Sequence, residues 1–212
     1  MSAVVLKAVA GMIAFVLVGN LAILAASLWA QETTPTATPE AIPGVENLQV
    51  VDDRLWRGAA PTTEGYRALA AAGTTTVVDL RAEEGLEADA RTVTELGMKL
   101  VRLPVRDGQV PSSEDIQAVL AAASEPGAKV FVNCGAGVGR TGAMVGAYLV
   151  ATGKADGPAA LRRNLAVGPP SLEQVAFVAR LDGQELDRPN AFVTGVSRVL
   201  DAPRRLWSRY GA

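Results

Sequence analysis

The segment VFVNCGAGVGRTGAMVG, residues 130–146, constrains the fold more than any other part of the chain. It begins with the β-branched and aromatic residues of a buried strand, continues through closely spaced glycines and ends in a helical pattern. Glycines at such a junction let backbone amides converge without interference from Cβ atoms. Because the helix N-terminus adds positive potential, the segment predicts an anion-binding loop between a strand and a helix.

The glycines alone are compatible with two nucleotide sites. Gly137, Gly139 and Gly142 match the G-x-G-x-x-G dinucleotide fingerprint, which requires an acidic residue at the end of a second strand about 20 positions later. Residues 157–168 are instead basic and helical in pattern. A nucleotide P-loop would have Gly and Lys in place of Cys134 and Arg140, and an acidic magnesium ligand downstream. The sequence disfavours both interpretations.

Cys134 and Arg140 favour a third interpretation, in which a cysteine nucleophile faces a bound phosphate. The loop amides and the helix N-terminus that attract phosphate also favour the thiolate form of Cys134. Arg140 can bind two phosphoryl oxygens through its planar guanidinium, and Thr141 can donate a hydrogen bond to the sulfur. The predicted phosphate-binding residues are Gly135, Ala136, Gly137, Val138, Gly139, Arg140 and Thr141.

The composition excludes several other chemistries. The chain has one cysteine and no histidine in 212 residues. A Ser-His-Asp triad, a Cys-His pair, an ordinary zinc site and an intramolecular disulfide are therefore excluded. The formal net charge of −2 does not favour binding of a polyanion, and we expect no nucleic-acid partner.

Strand and helix patterns alternate through residues 45–184, which we expect to form one catalytic domain. Strand patterns occur at residues 48–51, 54–58, 74–80, 98–105 and 128–133. Helical patterns occur at residues 62–73, 83–97, 111–124, 140–152, 155–166 and 171–182. This alternation predicts an α/β fold with a central, mostly parallel sheet of four to five strands and helices on both faces.

The N-terminal segment predicts a membrane anchor. Residues 8–30 carry no charge, and about 20 apolar residues suffice for a transmembrane helix. A signal peptide cleaved near Ala25-Ala26-Ser27 is the alternative for residues 1–30, and the product would then be secreted. Lys7 before the segment and Glu32 after it weakly favour a single pass with the domain outside the cytoplasm. Residues 31–44, rich in Thr and Pro, predict an extended linker.

The C-terminal tail, residues 185–212, is basic and amphipathic. Its apolar stripe consists of Phe192, Val193, Val196, Val199 and Leu200, and its basic residues include Arg198, Arg204, Arg205 and Arg209. The pattern is compatible with a helix on a membrane surface, with a segment docked on its own domain, or with disorder.

At Cys134–Thr141 the sequence resembles the cysteine-dependent protein tyrosine phosphatases, whose signature is H-C-x5-R-[ST], and most closely their dual-specificity-like bacterial branch. Three further segments are similar to that branch as well: DRLWRGAAPTTEGYRALAAAGTTTVVDLR, LPVRDGQVPSSEDI and GRTGAMVGAYLV. The resemblance covers roughly residues 48–181 and implies a three-layer phosphatase fold. It also implies a cysteinyl-phosphate mechanism that requires no metal and no cofactor.

The resemblance assigns catalytic roles to three residues. Cys134 attacks phosphorus, Arg140 stabilises the transition state, and Asp107 protonates the leaving oxygen. Asp115 is the competing acid, although the first turn of a helix is a common place for a carboxylate. Arg81 and Arg57 are expected to brace the surrounding loops.

Asn133 departs from the family signature, which has His at this position. Asn can offer a donor and an acceptor but no positive charge, so we expect the same chemistry with lower activity near neutral pH. The alternatives are a pseudophosphatase that binds phosphorylated partners and, less favoured, a rhodanese-like sulfurtransferase. Because the loop interior lacks Lys and Arg, the expected substrates are phosphoproteins or small phosphomonoesters rather than phosphoinositides.

Overall fold

The computed structural model describes residues 3–34, 42–182 and 189–202. A five-stranded sheet in the order β1-β2-β5-β3-β4 forms the centre of the domain. All neighbouring strands are parallel except β1 and β2. The strands are β1 (Gln49–Val50), β2 (Leu55–Ala59), β3 (Thr76–Arg81), β4 (Lys99–Val105) and β5 (Val130–Cys134). The predicted α/β fold with a mostly parallel sheet of four to five strands is confirmed.

Helices cover both faces of the sheet. Val77 and Phe131 point to one face and pack with apolar residues of α2 and α3, whereas Val78 and Val132 point to the other and pack with α4, α5, α6 and α7. Helices cover buried β-branched strands in this way when every strand is apolar on both sides. The helices are α1 (Ala3–Thr33), α2 (Thr63–Ala71), α3 (Glu87–Glu95), α4 (Ser113–Ser124), α5 (Gly139–Ala151), α6 (Gly157–Leu165), α7 (Leu172–Arg180) and α8 (Ala191–Leu200).

Side-chain caps begin several of these helices. Thr62 accepts a hydrogen bond from the Gly65 amide and caps α2, as its position in the sequence predicts. Ser112 and Ser171 form capping boxes at the starts of α4 and α7. Each box satisfies backbone donors that the first turn leaves without a helical partner.

Helix α1 is long and apolar enough to cross a membrane. It continues to Thr33, three residues into the predicted linker, and it ends where Thr34 precedes Pro35, a position that disfavours helical backbone. The C-terminal half of α1 packs on the domain, because Ser27 Oγ donates to Leu165 O at 2.7 Å and Asn20 Nδ2 donates to Leu200 O at 3.1 Å.

The described part of the C-terminal tail is α8. It contacts α7 and α1, and Leu200 is buried whereas Phe192 is exposed. Three alternatives were predicted for the tail, and α8 agrees with the one in which the tail packs on its own domain. The predicted basic residues Arg204, Arg205 and Arg209 lie outside the described residues.

Candidate active site

The glycine-rich loop lies at the carboxyl edge of the sheet, where α/β proteins bind ligands. Strand β5 lies between β2 and β3 and ends at Cys134, and α5 begins at Gly139. Cys134 is buried and pairs in register with Ala59 of β2. The sheet therefore fixes the sulfur at the base of the loop, while Arg140 follows on the first turn of α5.

Donors outside the loop bind three successive carbonyl oxygens of its backbone. Ala60 N donates to Gly135 O at 3.0 Å, Asn47 Nδ2 to Ala136 O at 2.9 Å, and Arg57 Nη2 to Gly137 O at 2.7 Å. In a trans peptide the amide points away from the preceding carbonyl. The amides that follow these carbonyls are therefore directed into the loop, as an anion site requires.

Gly137 is required by the close approach of the loop to β2. Its φ of 70° lies in the left-handed region, and a Cβ atom there would overlap the backbone of Gly58 and Ala59. The Arg57 side chain, from the same strand, binds the Gly137 carbonyl from below. Strand β2 thus determines the curvature of the loop.

Arg57 is a buried cation that serves the loop. Besides Gly137 O, its Nη2 donates to Val138 O at 3.2 Å and to Asn164 Oδ1 at 3.3 Å. Burial lowers the pKa of Arg57 to about 10, and the charge on Cys134 acts in the opposite direction. The guanidinium therefore remains protonated near neutral pH, and it braces the loop as the sequence predicts.

Arg140 is almost fully buried and is surrounded by acceptors. Its Nη1 and Nη2 donate to Glu83 Oε2 and Oε1 at 2.9 and 3.0 Å, and Nη1 also donates to Val105 O at 3.2 Å. Burial alone would lower the pKa of Arg140, but the hydrogen bonds with Glu83 and the charges of Cys134 and Asp107 raise it above its ordinary value. The guanidinium is a permanent cation beside Cys134.

Asp107, the predicted general acid, also lies close to the Arg140 guanidinium. Its Oδ1 lies 3.6 Å from Arg140 Nε, and its side chain is 42% exposed, which leaves it accessible to a substrate. Asp115, the competing acid, accepts a hydrogen bond from Ser112 N at 2.8 Å and completes the capping box of α4. Of these two candidates, Asp107 is the one that is ion-paired with Arg140.

The family can be assigned from the sequence over most of the chain. The model of the family described as "DSP-PTPase phosphatase fused to NAD+ Kinase" matches residues 42–189. The chain belongs to this family. The match covers the whole sheet, the loop and the acid segment, and the resemblance to the cysteine-dependent, dual-specificity-like phosphatases is confirmed.

Two curated relatives support this assignment. The probable chloroplastic NAD kinase 2 of Oryza sativa subsp. japonica is 32% identical over 117 residues, which is 52% of this chain. The tyrosine-protein phosphatase CDC14 of Candida albicans is 37% identical over 67 residues, which is 30% of this chain. Each match spans only 12% of the relative's own length.

Solved structures show the same fold. Tk-PTP, crystallised in its active form, aligns with a TM-score of 0.58 at 22% identity, over 68% of this chain and 100% of that chain. The phosphatase-like fold of this DSP-PTPase domain thus places its glycine-rich loop at the carboxyl edge of the sheet.

Asn133 stands where the phosphatase signature H-C-x5-R-[ST] has histidine, and the structure shows what Asn133 contacts. Its Nδ2 lies 3.5 Å from Asp79 Oδ1, and in the described part of the chain its Oδ1 accepts no hydrogen bond. Asn133 therefore faces β3 rather than the loop backbone. Arg81 binds both Asp79 and Asp89, at 2.8 and 2.7 Å, so the bracing role predicted for Arg81 agrees with its contacts.

The predicted hydrogen bond from Thr141 to the sulfur of Cys134 is absent. Thr141 Oγ1 is buried and makes no hydrogen bond within residues 3–34, 42–182 and 189–202. Thr141 lies on the first turn of α5, and its hydroxyl makes no hydrogen bond with the sulfur. Its predicted role in holding the thiolate lacks this contact.

Several residues of the phosphatase site were not predicted from the sequence. Asn47 and Glu83 bind the loop and Arg140 from segments that precede them by more than 50 positions. Asn164 lies against Gly142, where a Cβ atom would overlap its amide. No local sequence pattern marked these residues. Asn47 has a positive φ, which Asn tolerates better than most residues, but this backbone angle is visible only in the structure.

Proposed function

We propose that this DSP-PTPase domain hydrolyses phosphomonoesters through a cysteinyl-phosphate intermediate. One observation carries the proposal. A single loop places Cys134 at its start and Arg140 at its end, while donors outside the loop bind its carbonyl oxygens at residues 135–137. In this proposal the sulfur, the inward amides and the guanidinium contact one bound phosphoryl group.

In the first step the Cys134 thiolate attacks phosphorus in line with the leaving oxygen. The S–P bond forms as the P–O bond breaks, and Asp107 transfers its proton to the leaving oxygen. The Arg140 guanidinium and the loop amides of residues 135–140 stabilise the charge on the three equatorial oxygens.

In the second step water attacks the cysteinyl-phosphate. Asp107, now a carboxylate, accepts a proton from this water as the new P–O bond forms. The S–P bond breaks, the thiolate is regenerated and inorganic phosphate leaves. Both steps use groups of this chain together with water, and the proton balance of Asp107 closes over one cycle.

The proposed substrates are proteins phosphorylated on tyrosine, serine or threonine, or small phosphomonoesters. Residues 135–139 carry no Lys or Arg that would favour a highly anionic ligand such as a phosphoinositide. The relative CDC14 is named a tyrosine-protein phosphatase. Arg140 supplies a buried cation at the end of the loop, and one guanidinium is sufficient to bind one phosphoryl group.

We further propose that α1 anchors the catalytic domain, residues 45–184, to a membrane as a single-pass segment. Helix α1 has 31 residues and is apolar enough to cross the apolar thickness of about 30 Å, and a full span would release the contacts of Asn20 and Ser27 with the domain. The charges at Lys7 and Glu32 favour an extracytoplasmic domain. A reporter fused after residue 44 tests the orientation, and an N-terminal sequence of the mature protein tests cleavage.

The catalytic proposal is tested with the full chain in detergent on p-nitrophenyl phosphate. Cys134→Ser should abolish turnover, and Asp107→Asn should lower it by about 10²-fold or more. Rapid acid quench of the wild type with labelled substrate should trap phosphate on Cys134. Turnover by Cys134→Ser equal to that of the wild type would contradict the proposal.

A second function, binding of phosphorylated partners without efficient turnover, is supported by one contact. Glu83 binds both terminal nitrogens of Arg140, so a phosphate must displace or share this carboxylate. Binding of a phosphopeptide to the wild type, without turnover dependent on Cys134, would favour this function.

A further inference from the structure

The first turn of α7 contacts the acid segment at the two residues that directly follow Asp107. Ser171 Oγ donates to Gly108 O at 2.7 Å, and Gln174 Nε2 donates to Gln109 O at 2.9 Å. These are consecutive backbone carbonyls, so the acid segment is held at two points from the same helix end. Asp107 itself lies immediately before the first of them.

Both side chains are rigid because the same two residues form the capping box of α7. Gln174 N donates to Ser171 Oγ at 3.2 Å, and Ser171 N donates to Gln174 Oε1 at 2.9 Å. Ser171 is 1% exposed and Gln174 is fully buried. The Ser171 hydroxyl accepts in the cap and donates to the acid segment, whereas Gln174 uses its Oε1 in the cap and its Nε2 on the acid segment. Both side chains therefore have little rotational freedom.

Gln174 also contacts the phosphate-binding loop. A Cβ atom at Gly139, the first residue of α5, would overlap the Gln174 amide. One side chain thus touches the end of the loop that holds Arg140 and binds the segment that carries Asp107. The relative position of these two catalytic groups depends on α7.

The opposite side of this helix end is held by α8. Glu173 N donates to Ser197 Oγ at 3.0 Å, and Ser197 Oγ donates to Asp201 Oδ2 at 3.2 Å. Ser197 is fully buried. The first turn of α7 is therefore packed between the acid segment and the docked tail helix and has few ways to shift.

We propose that Ser171 and Gln174 are positioning residues for proton transfer by Asp107. This inference rests on the proposed function, in which Asp107 donates its proton to the leaving oxygen as the P–O bond breaks. The two side chains fix the backbone next to Asp107 at a constant distance from the loop. Their loss leaves Cys134, Arg140 and the phosphate cradle in place and misplaces only the acid.

The test compares two substrates on the full chain in detergent. Phenyl phosphate has a leaving group that requires protonation, whereas 2,4-dinitrophenyl phosphate has one that leaves as an anion. Gln174→Glu keeps the oxygen that accepts from Ser171 N and loses the donor to Gln109 O. Ser171→Ala loses the donor to Gly108 O together with the cap. Asp156→Ala, which removes the exposed cap of α6, is the control for a lost cap alone.

For Gln174→Glu and Ser171→Ala we expect kcat/KM, which reports the first step, to fall by about 10- to 100-fold on phenyl phosphate and by less than about threefold on dinitrophenyl phosphate. Asp156→Ala should leave the ratio of the two rates unchanged. Equal losses on both substrates, or no loss on either, would overturn the inference. If Ser171→Ala does not fold, Gln174→Glu decides, because it retains the capping box. Turnover that persists in Cys134→Ser would instead contradict the proposed function itself.

Discussion

Glu83 binds Arg140 in the two-point geometry that a phosphate would use. Glu83 Oε2 and Oε1 lie 2.9 and 3.0 Å from Arg140 Nη1 and Nη2, and the Glu83 side chain is 52% exposed. A guanidinium binds carboxylate and phosphate through the same planar fork. Since Glu83 follows β3, this strand supplies a carboxylate that competes with the ligand for Arg140.

Removal of the Glu83 charge should strengthen phosphate binding. Glu83→Gln keeps a hydrogen-bond acceptor for Arg140 but removes the competing anion. Because half-exposed ion pairs contribute about 1 kcal/mol or less, we expect the inhibition constant for inorganic phosphate to fall by up to about fivefold. Glu84→Gln, one residue away and exposed, is the matched control and should change it little. Weaker phosphate inhibition in Glu83→Gln than in the control would contradict this competition.

Loss of Arg57 should damage both the loop and the fold. Arg57→Met leaves the carbonyls of Gly137 and Val138 without this buried donor, which should cost about 2 kcal/mol of unfolding free energy or more. We also expect KM to rise, since the amides of the loop lose their fixed direction. Thermal denaturation and steady-state kinetics measure the two effects.

Arg54 provides the matched control for Arg57. Arg54 Nη1 also donates to two carbonyls, Ala123 O at 3.1 Å and Glu125 O at 3.2 Å, but these lie at the end of α4. Arg54→Met should lower the melting temperature with KM unchanged. A similar rise in KM for both variants would show that Arg57 has no specific effect on the loop.

Introduction of the family histidine should increase thiolate reactivity at low pH. Asn133 Nδ2 is 3.5 Å from Asp79 Oδ1, so an imidazolium in Asn133→His would lie beside the Asp79 carboxylate and add a positive charge at the residue next to Cys134. We expect iodoacetate to alkylate Cys134 at lower pH in this variant than in the wild type, with higher turnover below neutral pH. Identical pH profiles of alkylation would show that Asn133 is not the cause of lower activity.

The Asp52 ion pair should make stability depend on pH in acid. Burial alone would raise the pKa of Asp52, but Lys154, the Arg54 and Leu55 amides and Tyr148 lower it below its usual 3.8. An acid with a depressed pKa stabilises the fold above its unfolded value and loses this contribution as pH falls through the folded value. Asp52→Asn should therefore cost about 1–2 kcal/mol near neutral pH and progressively less below pH 3.8.

Urea denaturation at pH 7 and at pH 3 measures this dependence. Asp53→Asn removes an exposed charge at the adjacent position and serves as the control. A stability difference between Asp52→Asn and the wild type that stays constant down to pH 3 would rule out the ion pair as its source.

The sheet and the loop could be predicted because their signals are local. Buried strands such as β3 and β5 contain several β-branched residues, and α2, α4 and α7 begin at a Thr or Ser that caps the first turn. Cys134 and Arg140 lie within one loop and the turn that follows it, so their proximity follows from the chain itself. Asp107 was predicted from the family, and the sheet brings it to Arg140.

The remaining site residues could not be predicted, because their contacts are distant in sequence. Glu83, Asn47 and Gln174 are polar residues in loops or caps, where solvent or a helix end explains them equally well. Thr141 illustrates the opposite error, since proximity along the chain indicated a hydrogen bond to Cys134 that the described part of the structure does not contain. Local patterns identify a helix start, whereas only packing determines which side chains meet there.

The packing of α1 on the domain changes what the Thr/Pro segment can do. Asn20 and Ser27 bind carbonyls of α8 and α6, so the helix that precedes residues 34–42 already contacts the domain that follows them. Doubling the number of residues between these two parts of the chain would cost only about 0.6 kcal/mol of closure entropy. While these contacts hold, the distance between the active site and α1 is determined by helix packing, and lengthening the segment would not change it.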